Sequence, residues 1–319
     1  MFEFFITRPL GWIIEQIYNL VSNYGLAIII FTIIVKLILL PLNVKSQKAM
    51  KKQQKIQPIL AELQEKYKND QQKLQTEMMK LYKENNISMT GGCMPMLLQF
   101  PILIGLYQVI QKPLSFILGV DWAAADVINK VYFLKDKMIE LGADLGSLAN
   151  YTMEQLANMS QIQLSNWARI VNGVEDPWVM NFNLFGLDLS QNPSVVMDYI
   201  MKTDFSRPAV FALLLIPALA VLSQWASMKL TQKQSGQNQQ NQEGQAAQMS
   251  KSMNMMMPIM TLFFTFTLPS GIGLYWIVSS LMQIVQQLLL DKILMKSENE
   301  IEIKIPERKQ LHGKKSKKR

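Results

Sequence analysis

The chain has 319 residues, of which 49% are hydrophobic and 18% charged, with a net charge of +8. Its apolar residues gather into long runs with the polar residues between them, which excludes a soluble domain, where the two classes interleave at helical or strand spacing. Cys93 is the only cysteine and His312 the only histidine. That excludes an intrachain disulfide and a His/Cys zinc site, and no nucleophile elbow, phosphate loop or metalloprotease motif points to an enzyme; neither a cofactor nor a metal is expected.

Residues 1–23 predict an amphipathic helix. Leu10, Ile13, Ile14, Ile17, Tyr18 and Val21 recur at helical spacing, with Glu15, Gln16 and Asn19 opposite and Pro9 near the first turn. Such a helix belongs in the outer membrane interface; the alternative is the start of a long first span. No small-residue cleavage site precedes the first span, and no early Cys invites lipidation, so the start is read as retained.

A bilayer core of roughly 30 Å needs about 20 apolar residues in a helix. The run 24–42 meets that and forms the first span. Inside it lies Lys36, flanked by Ile, Val and Leu. A lysine facing lipid at depth costs on the order of 3 kcal/mol, so an intramembrane charge is a functional candidate. It lies six residues, roughly 9 Å, from Leu42. Lys36 either snorkels to the head groups or faces a wet groove. Thr32 and Asn43, at i−4 and i+7, extend a polar stripe along its face and favour the groove.

Residues 43–90 are rich in Lys, Gln and Glu. Leu60, Leu63 and Tyr67, then Leu74, Met78 and Leu81, mark one apolar seam on each of two helices, with Lys68-Asn69-Asp70 as the turn. The expectation is a cytoplasmic helical hairpin. It is either a solvated spacer or a docking paddle for a partner or lipid head groups.

The second span is 91–120, carrying Gln99. An acidic extracytoplasmic segment, 121–207, follows, with breaks at Pro177-Trp178 and Asn192-Pro193 and no recognisable chemistry. The third span, 208–228, carries Ser223, Gln224 and Ser227. Residues 229–252 form a Gln-rich cytoplasmic loop, whose stretch 234–248 lacks apolar anchors and is expected to be mobile. Spans four and five, 253–268 and 271–290, are two arms joined at Leu268-Pro269-Ser270-Gly271, where Pro and Gly supply a tight turn. Met253, Met255, Met256, Met257 and Met260 at the start of the fourth either give an adaptable apolar surface or fill gaps against lipid. In the last span Trp276, Ser280, Gln283 and Gln287 share one face, with Ser279 and Gln286 beside it.

Five spans place the termini on opposite sides, and Lys/Arg balance decides which. Segments 43–90, 121–207, 229–255 and 291–319 carry net charges of +5, −5, +2 and +5. Basic segments belong in the cytoplasm, so the N-terminus is outside and the basic tail 291–319 inside. That tail suits anionic lipid or ribosomal RNA, or else only enforces topology. The polar span residues lie mostly in the inner half with Lys36, where they suggest a groove open to the cytoplasm; singly, each could be interhelical hydrogen-bond glue. No Asp or Glu falls in the spans so bounded, which argues against a proton relay, and no repeated pair of broken helices suggests a transporter.

Several blocks, in order, resemble the YidC/Oxa/Alb family of membrane protein insertases. They are Thr32 to Leu42 followed by Lys45, Ser46 and Lys48; Ile56-Gln57-Pro58 leading to Lys66-Tyr67; and Gly91-Gly92-Cys93-Met94-Pro95-Met96-Leu97-Leu98-Gln99-Phe100-Pro101, followed by Leu106-Tyr107. Leu187-Asp188-Leu189-Ser190 and Gly271-Ile272-Gly273-Leu274-Tyr275-Trp276 with Gln286-Gln287 complete the set. The resemblance covers 10–290 and implies an all-α polytopic protein of a bacterial cell membrane, of the form without a large periplasmic domain. It implies a hydrophilic groove, closed toward the outside, that inserts and helps fold membrane-protein clients, alone or with the Sec translocon. Lys36 stands where the bacterial family usually has Arg, keeping the charge but not the planar donor fork. Ser279 and Ser280 stand where the family often has Asn. Expected partners are nascent clients, membrane lipids and, through the tail, the ribosome; DNA is not expected. The competing readings are a channel or small-solute transporter and a membrane assembly scaffold.

Overall fold

The computed structural model describes residues 3–87, 94–121, 124–142, 161–201, 211–234 and 245–295. Gly91-Gly92-Cys93, the middle of the Gln-rich stretch and residues 296–319 of the basic tail lie outside the described residues. The chain divides into two compact units. The first comprises Met1–Leu39, Leu97–Ser227 and Ser252–Ile284; the second comprises Leu40–Met96, Met228–Lys251 and Val285–Arg319.

In the first unit, a short π-helical turn leads into α1 (Arg8–Val21), with Pro9 in its first turn. The predicted stripe turns inward: Ile14 and Ile17 are buried, whereas Trp12 and Leu20 on the other side are exposed. Gly11 lies against the Phe116 ring, and Leu10 and Ile6 lie against Gly105, so this stripe packs on protein.

Next comes α2 (Tyr24–Ile38), capped by Asn23, whose Oδ1 accepts from the Leu26 N–H at 3.0 Å. The run 24–42 is not one helix, because α2 stops at Leu39. Pro41 has no N–H to donate to the Leu37 carbonyl four residues back, which breaks the ladder there.

The second apolar run also divides. Helix α5 (Met94–Gln111) ends before Lys112, which Pro113 disfavours for helix, and α6 (Pro113–Phe116) follows. The expected single run to residue 120 is therefore a helix, a break and a short turn of helix.

The acidic segment holds its own core. Helices α7 (Ala125–Glu140) and α8 (Gln161–Asn172) enclose Val131, Leu134, Leu164, Trp167 and Trp178, with Leu114 from α6. A two-stranded hairpin, β1 (Asn183–Leu184) and β2 (Leu187–Asp188), pairs Leu184 with Leu187. The sequence reading contained no strand; this pair is the only one among the described residues. Helix α9 (Val195–Met201) closes the segment.

The last three helices are α10 (Leu215–Gln234), α11 (Gln245–Thr267) and α12 (Ser270–Met295). Residues 229–234 and 245–252, read from sequence as loop, are helical, ending α10 and beginning α11. The break between α11 and α12 falls on Leu268-Pro269. By length and composition, Ala212–Gln232 and Ser270–Ile293 are candidate membrane spans. A third arises if Tyr24–Ile38 and Leu40–Lys66 are one broken span.

The first unit's core joins α1, α2, α5, the hairpin and α12 around Tyr24, Ile28, Phe31, Leu106, Ile110, Ile272 and Tyr275. Tyr24 donates its hydroxyl to the Ile110 carbonyl at 3.2 Å and meets the Phe182 ring edge to face at 4.9 Å. Gly25 lets Leu184 and Leu189 close on α2; a Cβ there would meet them at 2.8 and 2.7 Å.

The second unit contains the expected helical pair, α3 (Leu40–Lys66) and α4 (Gln71–Glu84). Asp70 in the turn caps α4, accepting from the Lys73 N–H at 3.0 Å. Leu60 and Leu81 of the predicted seams are buried, joined by Ile56, Tyr82 and Ile87.

Candidate functional site

Lys36 lies in the last turn of α2, where the helix C-terminal carbonyls favour a cation. Its residue is 8% exposed, so it does not reach freely to solvent, and its Nζ donates to Gln283 Oε1 at 3.5 Å. Thr32, one turn earlier on the same face, is buried and returns its hydroxyl to the Ile28 carbonyl of its own helix at 2.7 Å. A threonine that satisfies itself this way leaves the face polar without consuming a partner.

Three residues before Gln283 on α12, Ser280 donates to Gln224 Oε1 at 2.9 Å. The α10 side chain Gln224 also points its amide at Met257 Sδ of α11, 3.9 Å away. Ser223 bonds the Ala220 carbonyl of its own helix at 3.1 Å, and Ser227 is buried. Gln99 of α5 donates its amide to the Tyr275 hydroxyl, which Ser279 also meets. Trp276 stacks on Phe264 with ring centroids 6.3 Å apart. Thus α12 carries two hydrogen-bonded pairs three residues apart, Gln283 with Lys36 of α2 and Ser280 with Gln224 of α10, a polar cluster in which the Gln283 oxygen that accepts from the cation is an uncharged amide. Among the described residues no three His, Cys, Asp or Glu side chains converge to hold a metal.

The remaining predicted residues belong to the second unit and have partners there. Asn43 donates to Gln286 Oε1 at 3.1 Å, and Gln287 donates to the Thr231 hydroxyl. Beside them Lys51 and Asp291 form an ion pair at 2.9 Å, with Lys51 buried. Sequence reading ended the last span at 290 and so placed no carboxylate in it. The α12 helix continues to Met295 and carries Asp291 in its final turns. Tyr275, Thr231 and the Lys51–Asp291 pair were not singled out from sequence. Asp291 carried a signal as the first charge after an apolar run, and Tyr275 stood only within a block that resembles the family.

The cluster supplies a positive charge in the last turn of α2 and amide and hydroxyl groups midway along α10 and α12. It can attract and hydrogen-bond a hydrated acidic or polar segment. A family profile described as 60Kd inner membrane protein matches residues 16–298. A protein named Membrane protein insertase YidC from Caldanaerobacter subterraneus subsp. tengcongensis is 30% identical over 283 residues, covering 88% of this chain and 92% of that protein. One of the same name from Clostridium tetani is 47% identical over 134 residues, 40% of this chain and 60% of its own. Another, from Nitratidesulfovibrio vulgaris strain DP4, is 47% identical over 106 residues, which is 33% of this chain and 20% of that longer relative.

Proposed function

The chain belongs to the 60Kd inner membrane protein family, and we propose that it is a membrane protein insertase and chaperone of a bacterial cell membrane. The buried Lys36, hydrogen-bonded to Gln283 beside the Ser280–Gln224 pair, is the observation that carries this reading. In it, Lys36, Thr32, Gln99, Ser223, Gln224, Ser227, Trp276, Ser280 and Gln283 line a hydrophilic groove. A client's short polar tail enters and exchanges water for these groups at low desolvation cost. Its apolar segment then moves into lipid along the outer faces of the third and last spans, releasing hydrophobic free energy. No nucleotide takes part.

The alternating loop charges support five spans with the N-terminus outside, including the helix-and-break region of α5 and α6 and the short α11 arm. Helix α1 then lies at the outer interface and the α3–α4 pair in the cytoplasm. Asn43 and Gln287 extend polar character at the inner ends of their helices. The tail recruits ribosomes, and the Sec translocon serves as an optional partner.

Supplying this chain to cells depleted of their own insertase tests the proposal. Restored insertion of one- and two-span clients is the expected result. No restoration, with the chain present in the membrane at normal levels, overturns it.

A further inference from the structure

The first unit carries an exposed aromatic ring that the insertion mechanism does not use. Phe185 and Gly186 are the two turn residues between β1 and β2, and both have positive φ, +52° and +85°. A two-residue turn with both centres left-handed favours Asn-Gly or Asp-Gly, because a side chain with Cβ is strained there. Phenylalanine is a poor turn former, and its ring gains nothing from the fold: Phe185 is 90% exposed, the most exposed large apolar side chain among the described residues.

The hairpin that presents it is firmly held. Asn183 Oδ1 accepts from the Gly186 N–H at 3.0 Å, and the Asn183 carbonyl accepts from Asn23 Nδ2 at 2.8 Å. The Tyr24 N–H, in the first turn of α2, donates to the Asn181 carbonyl at 2.9 Å. Downstream, the Gln191 carbonyl accepts from the Ser270 hydroxyl at 2.7 Å, and the Ser194 N–H donates to the Phe266 carbonyl at 2.9 Å. Residues 181–194 therefore cross the start of α2 and the α11–α12 turn, which under the five-span reading are the outer ends of three spans. Leu20, 85% exposed, lies on the last turn of α1 near Tyr18, whose hydroxyl accepts from the Asn181 N–H at 3.3 Å. Trp12, exposed on the same side of α1, is two turns away.

We propose that Phe185 is an outer-leaflet membrane anchor, inserted with Leu20 at the boundary between head groups and acyl chains. The occupant is lipid because the rigid hairpin stands at the level where the spans leave the bilayer, and because exposed aromatic and aliphatic side chains at that level are stabilised by the interface. The anchor sets the depth of the outer end of α2 and, through that helix, of Lys36. This inference rests on the five-span reading.

The test uses the full chain in vesicles of phosphatidylethanolamine and phosphatidylglycerol. With Cys93→Ser as background, an environment-sensitive NBD label is placed on Phe185→Cys and, separately, on Leu222→Cys, an exposed site within α10. At 185 the expected result is a blue-shifted emission, quenched most by nitroxide near the lipid head group, less by nitroxide deep in the acyl chains, and little by iodide. Replacing Phe185 with Asn, a better turn residue, should leave thermal unfolding in detergent unchanged or raised while a label on Leu20→Cys loses quenching by lipid nitroxide.

Strong iodide quenching at 185, with lipid quenching intact at 222, overturns the anchor and leaves the five spans standing. A blue-shifted label at 185 that no lipid nitroxide reaches also overturns it and indicates a protein partner on the tip. Absence of lipid quenching at 222 overturns the anchor together with the span reading.

Discussion

Lys36 and Gln283 are joined by a hydrogen bond of 3.5 Å, although 247 positions separate them in the chain. The bond leaves the lysine its charge while restraining its head group, since an amide oxygen accepts without neutralising. Lys36→Arg should therefore keep insertion, and Lys36→Glu should abolish it. Lys36→Ala should lower insertion of clients with acidic translocated tails several-fold and spare clients with neutral tails. Protease protection of single-span clients in a depletion strain reads this out. Full activity of Lys36→Ala on every client would remove the electrostatic part of the mechanism.

The Lys51–Asp291 pair is asymmetric, with side chains 9% and 34% exposed. Asp291→Ala leaves a buried ammonium without its counter-charge. After discounting for the exposed aspartate, the cost should be about 1–3 kcal/mol. Thermal unfolding in detergent measures it. A double-mutant cycle with Lys51→Met should recover part of the loss, because removing both charges also removes the orphan.

Acid should loosen the acidic segment 121–207 through Asp176. Burial pushes its carboxyl up, but hydrogen bonds from Lys130, the Trp178 N–H and Asn172 outweigh that and hold it below the ordinary 3.8. The folded value is below the unfolded one, so its stabilisation is complete above the unfolded value and is lost as pH falls through the folded value. Lys130 also lies 4.5 Å over the Trp178 ring. Tryptophan fluorescence between about pH 5 and 2 should follow the loss, and Asp176→Asn should flatten that response and lower stability at neutral pH.

Gly273 lies directly against Ile216, so a Cβ there has no room. Gly273→Ala should destabilise by about 1–3 kcal/mol through overpacking. The atom in the way is Ile216 Cγ2, so adding Ile216→Leu, which has no branch at Cβ, should restore part of this. Melting temperatures of the two variants, and protein recovered in the membrane, decide it. Equal loss in the single and double variants would place the strain elsewhere.

Deleting residues 308–319 should weaken ribosome cosedimentation most at low salt and leave post-translational insertion intact. Basic tails bind RNA by releasing counterions, so the difference from the full chain should shrink as salt rises. Identical cosedimentation at low salt would count against the tail as the ribosome contact.

Much of the fold was legible because helix period and hydropathy are local properties. The α3–α4 pair with its Asp70 turn and the Pro269 break could each be read from a few consecutive residues. Where local reading went astray, the cause was a proline acting in context: Pro41 ends α2 within an apolar run, and Pro113 divides α5 from α6. The β1–β2 hairpin was missed because its strands are two residues each, too short for a period to show, and Phe185 stands before Gly186 where Asn or Asp is usual.

For the site, composition alone determined that a charge at position 36 sits among apolar residues and that the loops alternate in sign. Both follow from the free energy of moving side chains between water and lipid, which is nearly additive along the chain. Tertiary structure alone decided the partners: Gln283 for Lys36, Gln224 for Ser280, Gln286 for Asn43 and Asp291 for Lys51. Those choices depend on how each helix is rotated about its axis. Rotation is set by packing between distant segments, such as Gly25 under Leu184 and Gly273 under Ile216, which no local pattern encodes.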